Sequence, residues 1–233
     1  MSLTLFVPVL NEIEGLRAFM PDIPPGLFSQ ILVVDGQSRD GSADWARAQG
    51  YDVYVQQKKG IRNAYIEAWP MITGEYVITF SPDGNCLVKD LAVIAAKLAD
   101  GFDMVIASRY AEGARSHDDG IVTGFGNWMF TTLINVFHGG HYTDAMTIYR
   151  GYRTSLFREL DLHEEISYAP EKLFATIIGV EPLLSIRAAK RRLRICDVPS
   201  DEPKRLHGER KLQIIRWGSA YLTQVLRETW FWR

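Results

Sequence analysis

By residue 90 this chain has three times run an apolar strand pattern into a short polar turn, and that repetition restricts it to few architectures. Leu3-Thr4-Leu5-Phe6-Val7 meets Pro8 and then Asn11-Glu12, ahead of a helical spacing of Ile13, Leu16 and Phe19. Ile31-Leu32-Val33-Val34 ends in Asp35-Gly36-Gln37-Ser38-Arg39-Asp40-Gly41-Ser42. Glu75-Tyr76-Val77-Ile78-Thr79-Phe80 ends in Ser81-Pro82-Asp83-Gly84-Asn85. Continuous apolar runs of this kind are what strands buried on both faces of a parallel sheet show. Polar loops at the carboxyl ends of such strands are where open α/β sheets bind ligands. The pattern therefore predicts an α/β domain with a nucleotide crevice along one sheet edge. No Gly-x-Gly-x-x-Gly follows the first strand, and no Gly-x-x-x-x-Gly-Lys-Ser/Thr occurs, so an ordinary dinucleotide fold and a P-loop are both excluded.

Periodicity places strands near 3–7, 30–34, 51–55, 75–80 and 103–108, with a helix from Val88 to Leu98. Ala111 to Gly126 reads as a loop, followed by a helix from Asn127 to Phe137. A short strand over Ala145–Tyr149, a helix through Phe157, a helix opening at Pro170 and a last strand over Arg194–Pro199 complete the body. The expected division is a catalytic domain over 1–208 and a basic amphipathic helix over 209–233 belonging to the same unit.

Asp83 and Asn85, at i and i+2 of a turn relaxed by Gly84, can turn two oxygens towards one hard cation. The alternative is ordinary turn chemistry by Asp and Asn. Asp35 has two readings as well, a contact to a nucleotide or a cap for the next helix.

The motifs resemble a known family. Val7-Pro8-Val9-Leu10-Asn11-Glu12, Val34-Asp35-Gly36-x-Ser38-x-Asp40-Gly41-Ser42, Lys59-Gly60-x-x-Asn63-Ala64, Ser81-Pro82-Asp83-Gly84-Asn85 and Ala107-Ser108-Arg109-Tyr110 occur in the order shown by family 2 glycosyltransferases. Thr143-Asp144, Tyr149-Arg150-Gly151-Tyr152-Arg153 and Arg205-x-x-Gly208-Glu209-x-Lys211-Leu212 are similar to the polyprenyl-phosphate sugar transferases within it, such as the dolichol-phosphate mannose synthases. The resemblance implies the GT-A nucleotide-diphospho-sugar transferase fold, a single Rossmann-like sandwich with a mostly parallel sheet. It implies that Pro8, Asn11, Glu12, Asp35, Gly36, Ser38, Lys59, Gly60 and Asp83 face the nucleotide, and that Asp83 and Asn85 hold magnesium or manganese. Asp83, Arg109 and Asp144 would serve catalysis, with Arg109, Arg150, Arg205 and Lys211 around an acceptor phosphate. The chain departs from the pattern at Asn85, where the family carries a second Asp, and at Leu87, Ile148 and Arg210.

The reaction so implied is transfer of a sugar, with inversion, from a nucleotide-diphosphate sugar to a polyprenyl phosphate. An ionised phosphate acceptor needs no general base, only cations holding it in line. A hydroxyl acceptor needs one, and Asp144 and Glu171 are the candidates. Two other readings stay open: sugar nucleotidyl transfer, which calls for a Gly- and Arg-bearing loop absent from Val9–Glu12, and a non-catalytic nucleotide-binding scaffold.

Charge is unevenly spread. The whole chain carries a net −2, yet Arg187 to Arg233 holds 12 Lys/Arg against 5 Asp/Glu, a net of +7. No nucleic-acid-binding pattern accompanies these cations, so an anionic lipid surface or lipid phosphate is the expected partner. Apolar residues at Leu212, Ile215, Trp217, Leu222, Val225 and Leu226, ending in Trp230-Phe231-Trp232-Arg233, suit a helix lying at a membrane interface. Docking on the body or on a second copy of the chain, giving a homodimer, is the alternative. Met1-Ser2 leads directly into a strand, and no apolar run reaches the roughly 20 residues of a membrane span. Two distant cysteines fit a reducing compartment. The expectation is a cytoplasmic enzyme, peripheral to the membrane.

Overall fold

The computed structural model describes residues 1–206 and 214–232. Lys211, expected at the acceptor, and the first five residues of the expected tail helix lie outside the described residues. The first half repeats one unit four times: β1 (Leu3–Val9) leads to α1 (Ile13–Phe19), β2 (Gln30–Asp35) to α2 (Ser42–Ala48), β3 (Asp52–Val55) to α3 (Ile61–Ala68), and β4 (Tyr76–Thr79) to α4 (Asp90–Ala99). β5 (Met104–Ser108) is followed by the long α5 (Ile121–His138) and then by β6 (Arg150–Arg153). α6 (Leu156–Glu159), α7 (Pro170–Phe174), α8 (Glu181–Lys190), β7 (Ile195–Pro199) and α9 (Ile214–Arg227) complete the chain.

The seven strands form one sheet in the order β3-β2-β1-β4-β6-β5-β7. All pairings are parallel except those of β6, which runs antiparallel to both β4 and β5. Alternation along the strands sorts side chains onto two apolar layers. Phe6, Val34, Val77, Ile106 and Tyr152 pack under α3, α8 and α9, while Leu5, Val7, Val33, Ile78 and Val105 pack against the α1 and α4 side. This is the GT-A arrangement, mixed but mostly parallel.

Two expectations are corrected, and one helix is added. The strand placed at Ala145–Tyr149 begins instead at Arg150. Asp144 Oδ1 accepts the amides of Met146 and Thr147, each at 3.2 Å, and this folds 144–147 into a turn before the chain can extend. α5 starts at Ile121, not Asn127: the Thr123 hydroxyl closes its first turn on the backbone of Gly120, and the helix runs on through Gly124 and Gly126. α8, a helix the sequence reading left without an assignment, is buried along almost its whole length.

α9 is docked on the body. Arg187 of α8 pairs with Glu228 through Nε to Oε2 at 3.0 Å and Nη2 to Oε1 at 3.1 Å, both side chains fully buried. His138, at the end of α5, sits 2.9 Å from the carbonyl of Val225, and Phe130 meets Tyr221 edge to face.

Candidate active site

The turns after β1 and β2 are stitched to each other before any ligand arrives. Ser38 Oγ accepts the Asn11 amide at 2.8 Å, and Asn11 Oδ1 accepts the Arg39 amide at 2.8 Å. Ser42 Oγ accepts the amide of Glu12 at 3.1 Å, and Asp40 accepts that of Ile13 at 3.0 Å. Asn11 and Ser38 are thus builders of the wall. Pro8 and Gly36 stand where β1 and β2 meet it, and a Cβ on Gly36 would lie 3.2 Å from the Val9 carbonyl. Asp35 is different. Its Oδ1 accepts the Ser38 amide at 2.9 Å, but its buried Oδ2 has no protein partner. An orphaned buried carboxylate oxygen is costly unless a ligand donor meets it. Lys59 is exposed on the loop after β3, and Gly60, at φ 104°, lets that loop close on Ile177. Gly15 brings α1 onto the next turn, since a Cβ there would lie 1.9 Å from the Pro82 carbonyl.

That next turn carries Asp83 and Asn85. Asp83 Oδ1 accepts the Asn85 amide at 3.1 Å, and its Oδ2 lies 3.3 Å from Arg205. The Asn85 amide nitrogen donates to Asp118 at 3.1 Å and Glu202 at 3.3 Å, which turns its carbonyl oxygen into a buried position with no partner. Two oxygens on one turn, one of them unsatisfied, fit a divalent cation. Among the described residues no three His, Cys, Asp or Glu side chains are grouped for a metal. The remaining ligands would therefore be water and phosphate oxygens, as magnesium and manganese sites on nucleotides use.

Beyond this turn opens a cavity of about 460 Å³. Its charged edge is organised by Arg109 at the end of β5. Asp144 takes Arg109 in a two-pronged grip, and Glu202 and Asp119 lie 3.2 and 3.5 Å from Nη1. Burial works against this charge, but Asp144, then Glu202 and Asp119, hold the guanidinium above its usual pKa. Burial opposes the Asp144 carboxylate too, yet Arg109 keeps it below the ordinary carboxylate range. Asn127 of α5 completes the grip by donating to Asp144 Oδ1 at 3.0 Å. Burial outweighs Arg109 at Glu202 and raises that carboxyl.

Asp83, Asn85, Arg109, Asp144 and Arg205 are therefore brought together. Arg150 is not. Its side chain is fully buried beneath the floor of the cavity, donating to the carbonyls of Thr147, Ala145 and Glu181 and to the Ser185 hydroxyl. The acceptor role expected of Arg150 is corrected to a structural one: it anchors the 144–149 turn to α8. Glu171, the second base candidate, is held by the buried Arg62 through Nε to Oε1 at 3.0 Å and Nη2 to Oε2 at 2.7 Å. The sequence reading missed Glu202, Asp118, Asp119 and Asn127. Glu202 had a signal, since it follows the last strand as Asp83 and Arg109 follow theirs.

Comparison with known proteins agrees with this geometry. The model of glycosyl transferase family 2 matches residues 4–161. Glycosyltransferase AglJ of Haloferax volcanii is 26% identical over 97% of this chain and 71% of its own length. The undecaprenyl-phosphate mannosyltransferase of Micrococcus luteus is 26% identical over 97% of this chain and 98% of its own. In fold, the chain superposes on glucosyl-3-phosphoglycerate synthase of Mycobacterium tuberculosis, solved with Mn2+, UDP and glucosyl-3-phosphoglycerate. The TM-score is 0.68 at 20% identity, covering 98% of this chain and 79% of that one. The family model covers more than half of the sequence, and relatives and fold neighbour agree with it: the chain belongs to glycosyl transferase family 2 and is a nucleotide-sugar glycosyltransferase.

Proposed function

We propose that the chain transfers its sugar to a polyprenyl phosphate presented by a membrane. The observation that carries this reading is the distribution of exposed apolar side chains around the cavity. Of 21 large hydrophobic residues exposed among the described residues, twelve lie on α5, on α9 or just after it. Ile121, Phe125, Trp128 and Val136 form one outward stripe on α5, with Trp128 63% exposed and Ile121 93%. Ile215, Leu222 and Leu226 form another on α9. Val122, Ile214 and Trp217 turn from these helices into the cavity itself. An apolar surface this concentrated marks an interaction face, and exposed aromatics on helices that also carry the exposed Arg216 suit an anionic bilayer surface. No described helix is long and apolar enough to cross a membrane, so the contact would be interfacial. The Micrococcus relative, named for undecaprenyl phosphate, points to the same acceptor class.

In this reading Asp35 receives a donor group of the base or ribose, and Pro8, Asn11, Glu12, Gly36, Ser38, Lys59 and Gly60 shape the nucleotide wall. Asp83 and Asn85 hold magnesium or manganese, which when bound would neutralise the charge left on the departing diphosphate. Arg109, oriented by Asp144, and Arg205 hold the acceptor phosphate in line with the anomeric carbon. The phosphate oxygen attacks that carbon as the bond to the diphosphate breaks, which inverts the anomeric configuration.

A hydroxyl acceptor is the second reading, and one observation favours it. Among the described residues the cavity is lined by Asp83, Asp119, Glu181, Asp201 and Glu202 against Arg109 and Arg205, an acidic balance that opposes a phosphate dianion. One experiment separates the two. The enzyme, Mn2+ and a panel of labelled UDP- and GDP-sugars are incubated with vesicles containing a short polyprenyl phosphate, or with oligosaccharides. Label in the lipid phase supports the proposal; label only in saccharide rejects it.

A further inference from the structure

The end of the cavity beyond the charged edge has a different chemistry. Glu181, the first residue of α8, lines it while only 7% exposed. Its Oε1 accepts the hydroxyl of Tyr65 at 2.8 Å, and burial raises its carboxyl pKa against the opposing influence of Arg150. Gly179 stands against the same carboxyl: a Cβ there would lie 2.2 Å from Oε2, so any larger residue would push the group aside. The Gly179 amide donates to the Tyr221 hydroxyl at 2.9 Å, which occupies a lone pair of that oxygen but not its proton. Tyr221 also lines the cavity, and Trp217 adds an indole beside it.

A buried carboxyl is costly, and one kept at a cavity wall is compensated by what enters. A carboxyl accepting hydrogen bonds, a phenol donating one and an aromatic face for C–H groups together match a ring of hydroxyls. They do not match a phosphate, which the carboxyl repels. The floor from Met146 to Tyr149 joins this end to the Asp83 turn, and a sugar is bonded directly to the diphosphate expected there. We infer that Glu181 and Tyr221 form the hydroxyl-reading subsite for the transferred sugar and set which sugar is accepted. This inference rests on the nucleotide-sugar reading of the crevice. A site built to bond a particular hydroxyl discriminates strongly against donors that lack or misplace it, because its own polar groups are then left unpaired.

The test compares each sugar nucleotide with its parent diphosphate. Calorimetry with Mn2+ measures Kd for UDP against UDP-glucose and UDP-N-acetylglucosamine, and for GDP against GDP-mannose. The wild type should bind at least one sugar nucleotide more tightly than the parent diphosphate. Glu181→Gln should narrow that preference by about tenfold while leaving diphosphate affinity within about twofold. Gly179→Ala, which displaces the carboxyl and removes no functional group, should narrow it as well and serves if Glu181→Gln fails to fold. Unchanged ratios in the folded variants overturn the subsite and leave the nucleotide reading standing. A wild type that binds diphosphates but gains nothing from any sugar also overturns the subsite. A wild type that binds no diphosphate overturns both.

Discussion

Asp144 grips Arg109 with both carboxylate oxygens, Oδ2 lying 2.6 Å from Nε and Oδ1 3.1 Å from Nη2. An acid held this way, and depressed in pKa, is a poor proton acceptor for a substrate hydroxyl. Its work is to orient the guanidinium. The folded-state pKa lies below the unfolded one, so the pair's stability is present above about pH 4 and lost as pH falls through the folded value.

Asp144→Asn should therefore destabilise the protein at pH 7 by about 3 kcal/mol. That is the low end for breaking a buried pair, because Glu202 and Asp119 still face Arg109. Urea unfolding at pH 7 and again near pH 3 measures it. The gap between wild type and variant should shrink at the lower pH, and a gap that widens would contradict the assignment.

Removing the Asp83 carboxylate should abolish metal-dependent binding of nucleotide diphosphate without unfolding the chain, since among the described residues its side chain bonds one amide and one arginine. Asn85→Asp should tighten binding of Mn2+ by restoring a charge at the unpartnered carbonyl position. Titration of each variant with Mn2+ at fixed nucleotide is the measurement. Affinity unchanged in both would show that the turn is only a turn.

Arg150→Ala should act on folding before it acts on catalysis. The Thr147 carbonyl loses its donor in a buried site, at about 1–3 kcal/mol, while the Ala145 and Glu181 carbonyls are left to share the Ser185 hydroxyl. The expected outcome is a fall in the urea midpoint and in soluble yield. A variant of normal stability that lost only acceptor affinity would return Arg150 to the acceptor site.

Trp128→Asp and Phe125→Asp on α5, made together, should release the protein from vesicles rich in anionic lipid. Both rings are exposed and pack 5.6 Å apart, so the substitutions disturb no core contact. Each full side chain withdrawn from an apolar phase forfeits about 1.5–3 kcal/mol, and each basic residue near the surface adds about 1 kcal/mol that salt screens. Co-sedimentation at low and high salt reads both contributions. Retention by the variant would assign this face to a second copy of the chain, which sedimentation velocity would detect.

The donor half was legible because local rules act alone there. β1, β2 and β4 are apolar runs with nothing polar to compete, and their turns carry Asp35, Asp83 and Asn85 where the strands stop. The second half was harder because long-range contacts decide it. Thr147-Ile148-Tyr149 has strand propensity, but Asp144 captures the amides of Met146 and Thr147 and postpones the strand to Arg150. Arg150 sits next to family-like residues and reads as a ligand, yet only the packing of α8 shows that its donors are engaged. Asp118 and Asp119 lie in a polar loop whose composition offers no sign of the arginines they meet.

The lone antiparallel strand has a consequence for how the chain assembles. β6 is the seam of the sheet, bonded to β4 on one side and β5 on the other, and it joins residues as far apart as Thr79 and Arg150, 71 positions away. β1 pairs with β2 (Thr4 with Gln30) and with β4 (Leu3 with Tyr76), and these three strands can associate while the ribosome is still making α5. β6 can pair only later, once residues 150–153 have been made, and it then has to meet two neighbours, β4 and β5. Substitutions in β6 should slow refolding more than equally destabilising ones in β3, since the two halves of the crevice meet only when the seam closes. The side of the crevice built by β1, β2 and β4 is the early product of this chain, and the side carrying Asp144 and Glu202 is the late one.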